Sequence, residues 1–288
     1  MELHENESVS LHLSNLTLLD DIESRVQKIQ IYQHPELGKV LVINNEIHNI
    51  EKWAPLYHES IVNIPMMFIY RPQTVLILGG GDLFAAEIAL SYPSVKKVVV
   101  CDYDPEVIRL TSKHYTHAKA VLEDTKISIV YQDARTFLRD CHENFDLIVD
   151  DCFNLVDDFP QEDAVFDALY RLLTPNIGVC SSLMYRHVFE RHTLGKTINS
   201  LLSHHKTVLS MVTVPEYPGV LHLLTMWGKS NYLSQSMTNS KNQWHIKSEK
   251  DSRPCGQYFD SKYCNYYLYL PNYIKNIFLE QGWHIEDV

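Results

Sequence analysis

Three aspartates each close a short apolar run in the first half of the chain. Val75 to Leu78 leads into Gly79, Gly80, Gly81 and Asp82, Val98 to Cys101 ends in Asp102, and the run KISIVYQD ends in Asp133. Glycines let the backbone adopt positive φ and pass close to a ligand. An acid at the end of the second strand can accept both hydroxyls of a ribose. The order strand, glycine turn, helix, strand, acid therefore points to a nucleoside-containing ligand. The glycines are contiguous rather than spaced as G-x-G-x-x-G, and Asp82 stands where a dinucleotide's pyrophosphate would lie, which like charge disfavours. A cationic nucleoside suits Asp82 better. S-adenosylmethionine and its decarboxylated form carry a sulfonium and an ammonium and no phosphate. The competing structural reading makes Asp82 the cap of the following helix and Asp102 and Asp133 ordinary loop acids.

The elements that must position these acids follow from periodicity. The first sixty-odd residues alternate apolar and polar side chains in SLHLSNLTLLDD, RVQKIQIYQ and KVLVINNEIHNI, with turn signals at His34-Pro35, Gly38 and Asn44-Asn45. A small antiparallel sheet is expected there, then a helix-like segment over Leu56 to Phe68 and a boundary at Arg71-Pro72. From Val75 the pattern alternates. Strands are expected at 75–78, 97–101, 126–131, 145–150, 177–182, 207–214 and 221–227. Helices are expected at 83–91, 105–116, 134–141, 164–173 and 190–204. Such alternation makes an α/β, doubly wound, Rossmann-like sheet of the S-adenosylmethionine-dependent transferase type. The division is an N-terminal β-strand domain over 1–66 and a catalytic domain over 67–288. Residues 230–254 read as a polar surface loop, and the tail as ending in an amphipathic helix.

Composition bounds the partners. The chain has 288 residues, 45% of them hydrophobic, enough for one large domain with a smaller appendage. No apolar run is long enough to span a bilayer, and the acidic N-terminus is not a secretory signal. Six scattered cysteines form no C-x-x-C pair, so no metal site is expected and a reducing, cytoplasmic location is. A net charge of −11 disfavours nucleic acid and anionic membranes and is compatible with cationic ligands.

Several short blocks, in order and spacing, resemble the spermidine synthase family of polyamine aminopropyltransferases. They are Ser24-Arg25-Val26-Gln27, Val40 to Asn44, Tyr57-His58-Glu59, VLILGGGD, Cys101 to Asp104, Gln132-Asp133-Ala134, Phe145 to Asp151, and Val214 to Pro218. The resemblance implies transfer of an aminopropyl group from decarboxylated S-adenosylmethionine to an amine, with methylthioadenosine leaving. An attacking amine must be neutral, so a carboxylate beside it has to accept its proton and hold it in line. By resemblance Asp151 is that base, and Tyr57 and Tyr217 frame the amine. Gln27, His58, Gly79, Gly81, Asp82, Asp102, Asp133 and Ala134 contact the cofactor, Asp133 at the adenine amino group. A homodimer or homotetramer built through the N-terminal sheet is implied too. Asp150 is expected to be an acid placed at a strand end for solubility.

The departures concentrate at the acceptor. Asn154 stands where the family has a second aspartate, the Gly-Pro of the following loop is missing, and Asp157 or Asp158 could replace the lost charge. Leu183 and Cys264 replace a family glutamine and histidine. Leu83 and Phe84 replace glycines after GGGD and are expected to narrow or reshape the space beside the donor chain. Asn154 is still assigned to the acceptor, whose altered site suggests a less cationic or larger amine, or an amino acid. Two alternatives stay open: an S-adenosylmethionine-dependent N-methyltransferase or aminocarboxypropyltransferase on the same scaffold, and a non-catalytic binding paralogue.

Overall fold

The computed structural model describes residues 2–6, 9–153, 163–187, 206–233 and 256–279. The expected N-terminal sheet forms as two pieces. Strands β1 (Glu2–Asn6) and β2 (Val9–His12) make a hairpin, and β3 (Thr17–Glu23), β4 (Lys28–His34), β5 (Gly38–Ile43) and β6 (Glu46–Ile50) make a four-stranded antiparallel meander. Asn44 and Asn45 both have positive φ, 50° and 68°, which is the geometry of a two-residue hairpin turn that follows strand twist. Alternation along β5 sends Val40 and Val42 into a small cluster with Ile47 and Ile50. Leu41 and Ile43 go to the other face, into the main core. The small sheet is thereby welded to the large one.

Helix α1 (Ala54–Met66) follows, opened by Pro55 and buried along most of its length. The large sheet comprises β7 (Thr74–Leu78), β8 (Lys97–Asp102), β9 (Ile127–Tyr131), β10 (Leu147–Asp150), β11 (Val179–His187), β12 (Lys206–Val212) and β13 (Val220–Gly228). Their spatial order is β12-β13-β11-β10-β7-β8-β9. Strands β7 to β11 are parallel, and β13 runs antiparallel to β11 and β12. The near-continuous apolar runs of the parallel strands fit burial on both faces. Val75 and Ile77 face one core with α1, α2 (Phe84–Leu90), α3 (Pro105–His114) and α4 (Thr116–Glu123). Leu76 and Leu78 face another with α5 (Ala134–Asp140) and α6 (Asp163–Leu172). The short α7 (Cys264–Tyr267) and the tail helix α8 (Asn272–Leu279) follow.

Several elements depart from the expected bounds. The helix expected at 105–116 ends at His114, because Tyr115 is extended and swings its ring, 1% exposed, into the core, and a second helix starts at Thr116. Strand β11 runs on to His187, because β13 pairs with it along that whole length. Strand β10 starts at Leu147 rather than at 145, where Phe145 makes an isolated bridge to Leu173. The helix expected at 190–204, and most of the polar loop, lie outside the described residues. Among the described residues no helix is long and apolar enough to cross a membrane.

Candidate active site

Strand order reverses between β7 and β10, and ligands of open α/β sheets bind at that crevice, beyond the strand C-termini. A cavity of about 620 Å³ lies there. Its floor is the glycine turn. Gly79 has φ of +79°, and a Cβ on it would meet the Asp151 carbonyl at 3.0 Å. A Cβ on Gly81 would lie 2.6 Å from Asp102 Oδ2, so this turn has no room for side chains.

The donor end is built from four strand or helix termini. Asp82 does two jobs. Its Oδ1 accepts the Phe84 N–H at 3.1 Å where α2 begins, while its Oδ2 accepts from Asn49 at 2.9 Å and lies 3.1 Å from His58 Nε2. Burial pulls the His58 imidazole down, but the Asp82 charge and hydrogen bond more than offset it and hold His58 at about 9. Burial pushes Asp82 up, and His58 with the Phe84 N–H brings it down to about 2. The pair is ionised at neutral pH, and Nδ1 of His58 is set by Ala54 O at 2.9 Å. Asp102 is buried, which raises its pKa, and accepts the Asp104 N–H at 2.9 Å. Gln27 comes from the N-terminal sheet, with its Oε1 held by the Tyr103 hydroxyl at 2.8 Å. Ser24 beside it donates to Asp104 at 2.7 Å.

Asp133 and Ala134 lie one strand beyond Asp102 and are not on the cavity wall; the exposed Asp133 carboxylate caps α5 through the Thr136 N–H at 3.0 Å. Leu83 and Phe84 are not on the wall either, contrary to expectation. Leu83 is fully buried with φ of 66°. Phe84 turns away from the cavity, stacking on His117 at 3.7 Å and lying 5.2 Å from His58. Helix α2 starts at this point, and its first turn faces α1 and α4 rather than the ligand space.

The acceptor end centres on Asp151, at the end of β10. Tyr57, one turn into α1, donates its hydroxyl to Asp151 Oδ1. Burial pushes Asp151 up to about 7, with the Asp82 and Asp150 charges adding and the His58 charge and Tyr57 hydroxyl opposing. Tyr217 presents its ring to the cavity and donates its hydroxyl to Ile47 O at 2.7 Å. Leu183 is on the wall, Asn154 lies outside the described residues, and nothing is described of the Cys264 side chain. Asp150 is not the strand-end acid placed for solubility that the sequence suggests. It is 2% exposed, accepts the Phe153 N–H at 3.1 Å, and is raised by burial to about 6.

The sequence profile of the spermine/spermidine synthase domain matches residues 54–239. The chain belongs to the spermine/spermidine synthase family. Polyamine aminopropyltransferase of Archaeoglobus fulgidus is 30% identical over 208 residues, covering 72% of this chain and 76% of that one. The enzyme of the same name from Thermoanaerobacter sp. (strain X514) is 25% identical over 273 residues, covering 88% and 89%. Spermidine synthase from Thermotoga maritima superposes with a TM-score of 0.78 at 21% identity, covering 96% of this chain and 92% of that one. A spermidine synthase in complex with the transition state analogue AdoDATO gives 0.79 at 21% identity, covering 97% and 93%. The Rossmann-like fold with its small antiparallel sheet is thus that of the spermidine synthases. Relatives named as aminopropyltransferases make this family member a transferase.

In this synthase-family chain, sequence reasoning missed Asn49, Tyr103 and Glu216. Asn49 holds Asp82 from β6 of the small sheet, and Tyr103 holds Gln27. Glu216 is buried beside Tyr217 on the cavity wall. It sits inside the Val214 to Pro218 block, and that was the available signal.

Proposed function

We propose that the protein transfers an aminopropyl group from decarboxylated S-adenosylmethionine to an amine, releasing methylthioadenosine. One observation carries this. The described cavity wall bears six carboxylates, Glu46, Asp82, Asp102, Asp150, Asp151 and Glu216, and no lysine or arginine. Such a wall suits cationic ligands and opposes anionic groups. The donor's sulfonium and ammonium suit it. In this reading Gln27, His58, Gly79, Gly81, Asp82 and Asp102 hold the donor, with Asp133 and Ala134 at its adenine end. Asp151 removes the proton of the attacking amine, while Tyr57, Tyr217 and Asn154 frame it. The amine lone pair forms a bond to the methylene carbon beside sulfur, and the C–S bond breaks with its electron pair going to sulfur. The leaving group is then a neutral thioether.

The same wall counts against the two alternatives that use intact S-adenosylmethionine, and against an amino-acid acceptor. Each would bring a carboxylate to a site whose charged His58 is already paired with Asp82. The test is product identification by mass spectrometry after incubation with either donor and an amine. Methylthioadenosine from the decarboxylated donor is expected. S-adenosylhomocysteine, methylthioadenosine formed only from the intact donor, or no product with either donor, would overturn the reading. The proposal extends to a cytoplasmic homo-oligomer joined through the N-terminal sheet. It is supported by the free thiols Cys101, Cys141, Cys152 and Cys180, by exposed Leu18 and Leu19 on β3, and by exposed Val26 in the turn before β4. A monomeric mass in sedimentation would remove the assembly.

A further inference from the structure

Aminopropyl transfer to an acceptor with two amines leaves one of them protonated throughout. That ammonium needs a counter-charge inside the cavity. The sequence places an amide, Asn154, three residues beyond Asp151. Most carboxylates of the described wall are committed. Asp82 is paired with His58 and Asn49, Asp102 accepts the N–H groups of Asp104 and Gly81, and Asp151 is held by Tyr57. Asp150 follows the alternation of β10 onto the face of Ile148, opposite that of Val149, and takes loop N–H groups there. Glu46 is exposed.

Asp150 also leaves its Oδ2 without a hydrogen-bond partner, but on that opposite face; among the other buried carboxylates of the described wall, Glu216 has an unpartnered oxygen. It is 8% exposed, its carboxylate accepts the backbone N–H groups of Ile50 and of Glu216 itself, and its Oε2 has no hydrogen-bond partner. On the same cavity wall the ring centroids of Tyr217 and His222 lie 5.8 Å apart, and those of His222 and Tyr185 lie 5.8 Å apart. Burial lowers His222 to about 4, so this aromatic surface is uncharged at neutral pH. Neutral aromatic faces receive alkylammonium groups. A buried carboxylate with an unpartnered oxygen, on one cavity wall with such faces, suits a cation.

We propose that Glu216 is a specificity-determining residue of the acceptor end, receiving the ammonium that does not react, and that it supplies the charge Asn154 lacks. This rests on the aminopropyl-transfer reading. Glu216→Gln retains an oxygen for the Ile50 N–H and removes only the charge, so it separates binding from packing. Calorimetry on methylthioadenosine-saturated protein would compare 1,3-diaminopropane, 1,4-diaminobutane and 1,5-diaminopentane with 1-aminobutane. Wild type is expected to prefer at least one diamine, with the diamine-to-monoamine ratio falling roughly tenfold or more in Glu216→Gln. Glu216→Asp, which keeps the charge, should recover part of it. An unchanged ratio in Glu216→Gln, or no diamine preference in wild type, would overturn the proposal. Methylthioadenosine formation by wild type, measured alongside, tests the transfer reading separately. Turnover with an unchanged ratio removes Glu216 alone. A ratio that depends on Glu216 without turnover removes transfer and keeps Glu216 as a binding residue.

Discussion

Asp151 accepts a proton only when it is ionised, and its carboxyl stands at about 7. The rate should therefore rise with pH through about 7 and then level. Tyr57 lowers that value by its hydrogen bond, so Tyr57→Phe should move the rising limb to higher pH. A limb that stays in place would separate Tyr57 from the base. Asp151→Asn should cost on the order of a hundredfold or more in turnover, with methylthioadenosine affinity by calorimetry nearly unchanged. His58 and Asp82 make a different prediction, about stability. His58 is raised from 6.5 to about 9, so its contribution is complete below about 6.5 and is lost as pH rises through about 9. Asp82 is lowered from 3.8 to about 2, so its contribution is present above about 3.8 and is lost as pH falls through about 2. Chemical unfolding between about pH 6 and pH 10 should show declining stability in wild type and a flatter profile in His58→Gln. Parallel profiles would mean that the pair contributes nothing.

Helix α1 shows how one short block serves three neighbours. Successive residues of a helix point about 100° apart. Tyr57 reaches Asp151, His58 reaches Asp82, and Glu59 turns to the tail segment. Glu59 accepts the N–H groups of Gln257, Tyr258 and Phe259 at 2.8, 2.9 and 2.7 Å. Glu59→Ala would leave these donors without their acceptor, at a cost of about 1–3 kcal/mol for each one kept from water. Urea titration should show a loss on the order of 3 kcal/mol, and a loss below about 0.5 kcal/mol would mean the segment is held elsewhere. The Tyr-His-Glu block was legible as a family signature, but this division of labour was not. The same holds at the glycine turn. Its strand, turn and acids were readable from local pattern, whereas the direction of Phe84 was set by α1 and α4 packing on α2.

At the scale of the molecule, the cavity where the two sheets meet is lined by acidic residues. A net charge of −11 and a cavity wall bearing six carboxylates and no lysine or arginine should draw in cations over distances that salt shortens. The affinity for decarboxylated S-adenosylmethionine should fall between about 0.05 and 0.5 M salt, while that for uncharged methylthioadenosine should change little. Equal salt dependence would remove the electrostatic account. The sequence by itself determined the alternating α/β order, the small N-terminal sheet, the glycine turn, the strand-end acids and the Asp151 block. Each of these is written in consecutive residues, through strand or helix period and turn chemistry. Only the tertiary structure joined Asn49 to Asp82 across 33 positions and Tyr57 to Asp151 across 94. It also turned Asp150 away from water and brought Glu216 to the wall opened by the glycine turn. The physical reason is that pairing and protonation depend on which distant groups share a buried space, and the order of strands decides that rather than the order of residues.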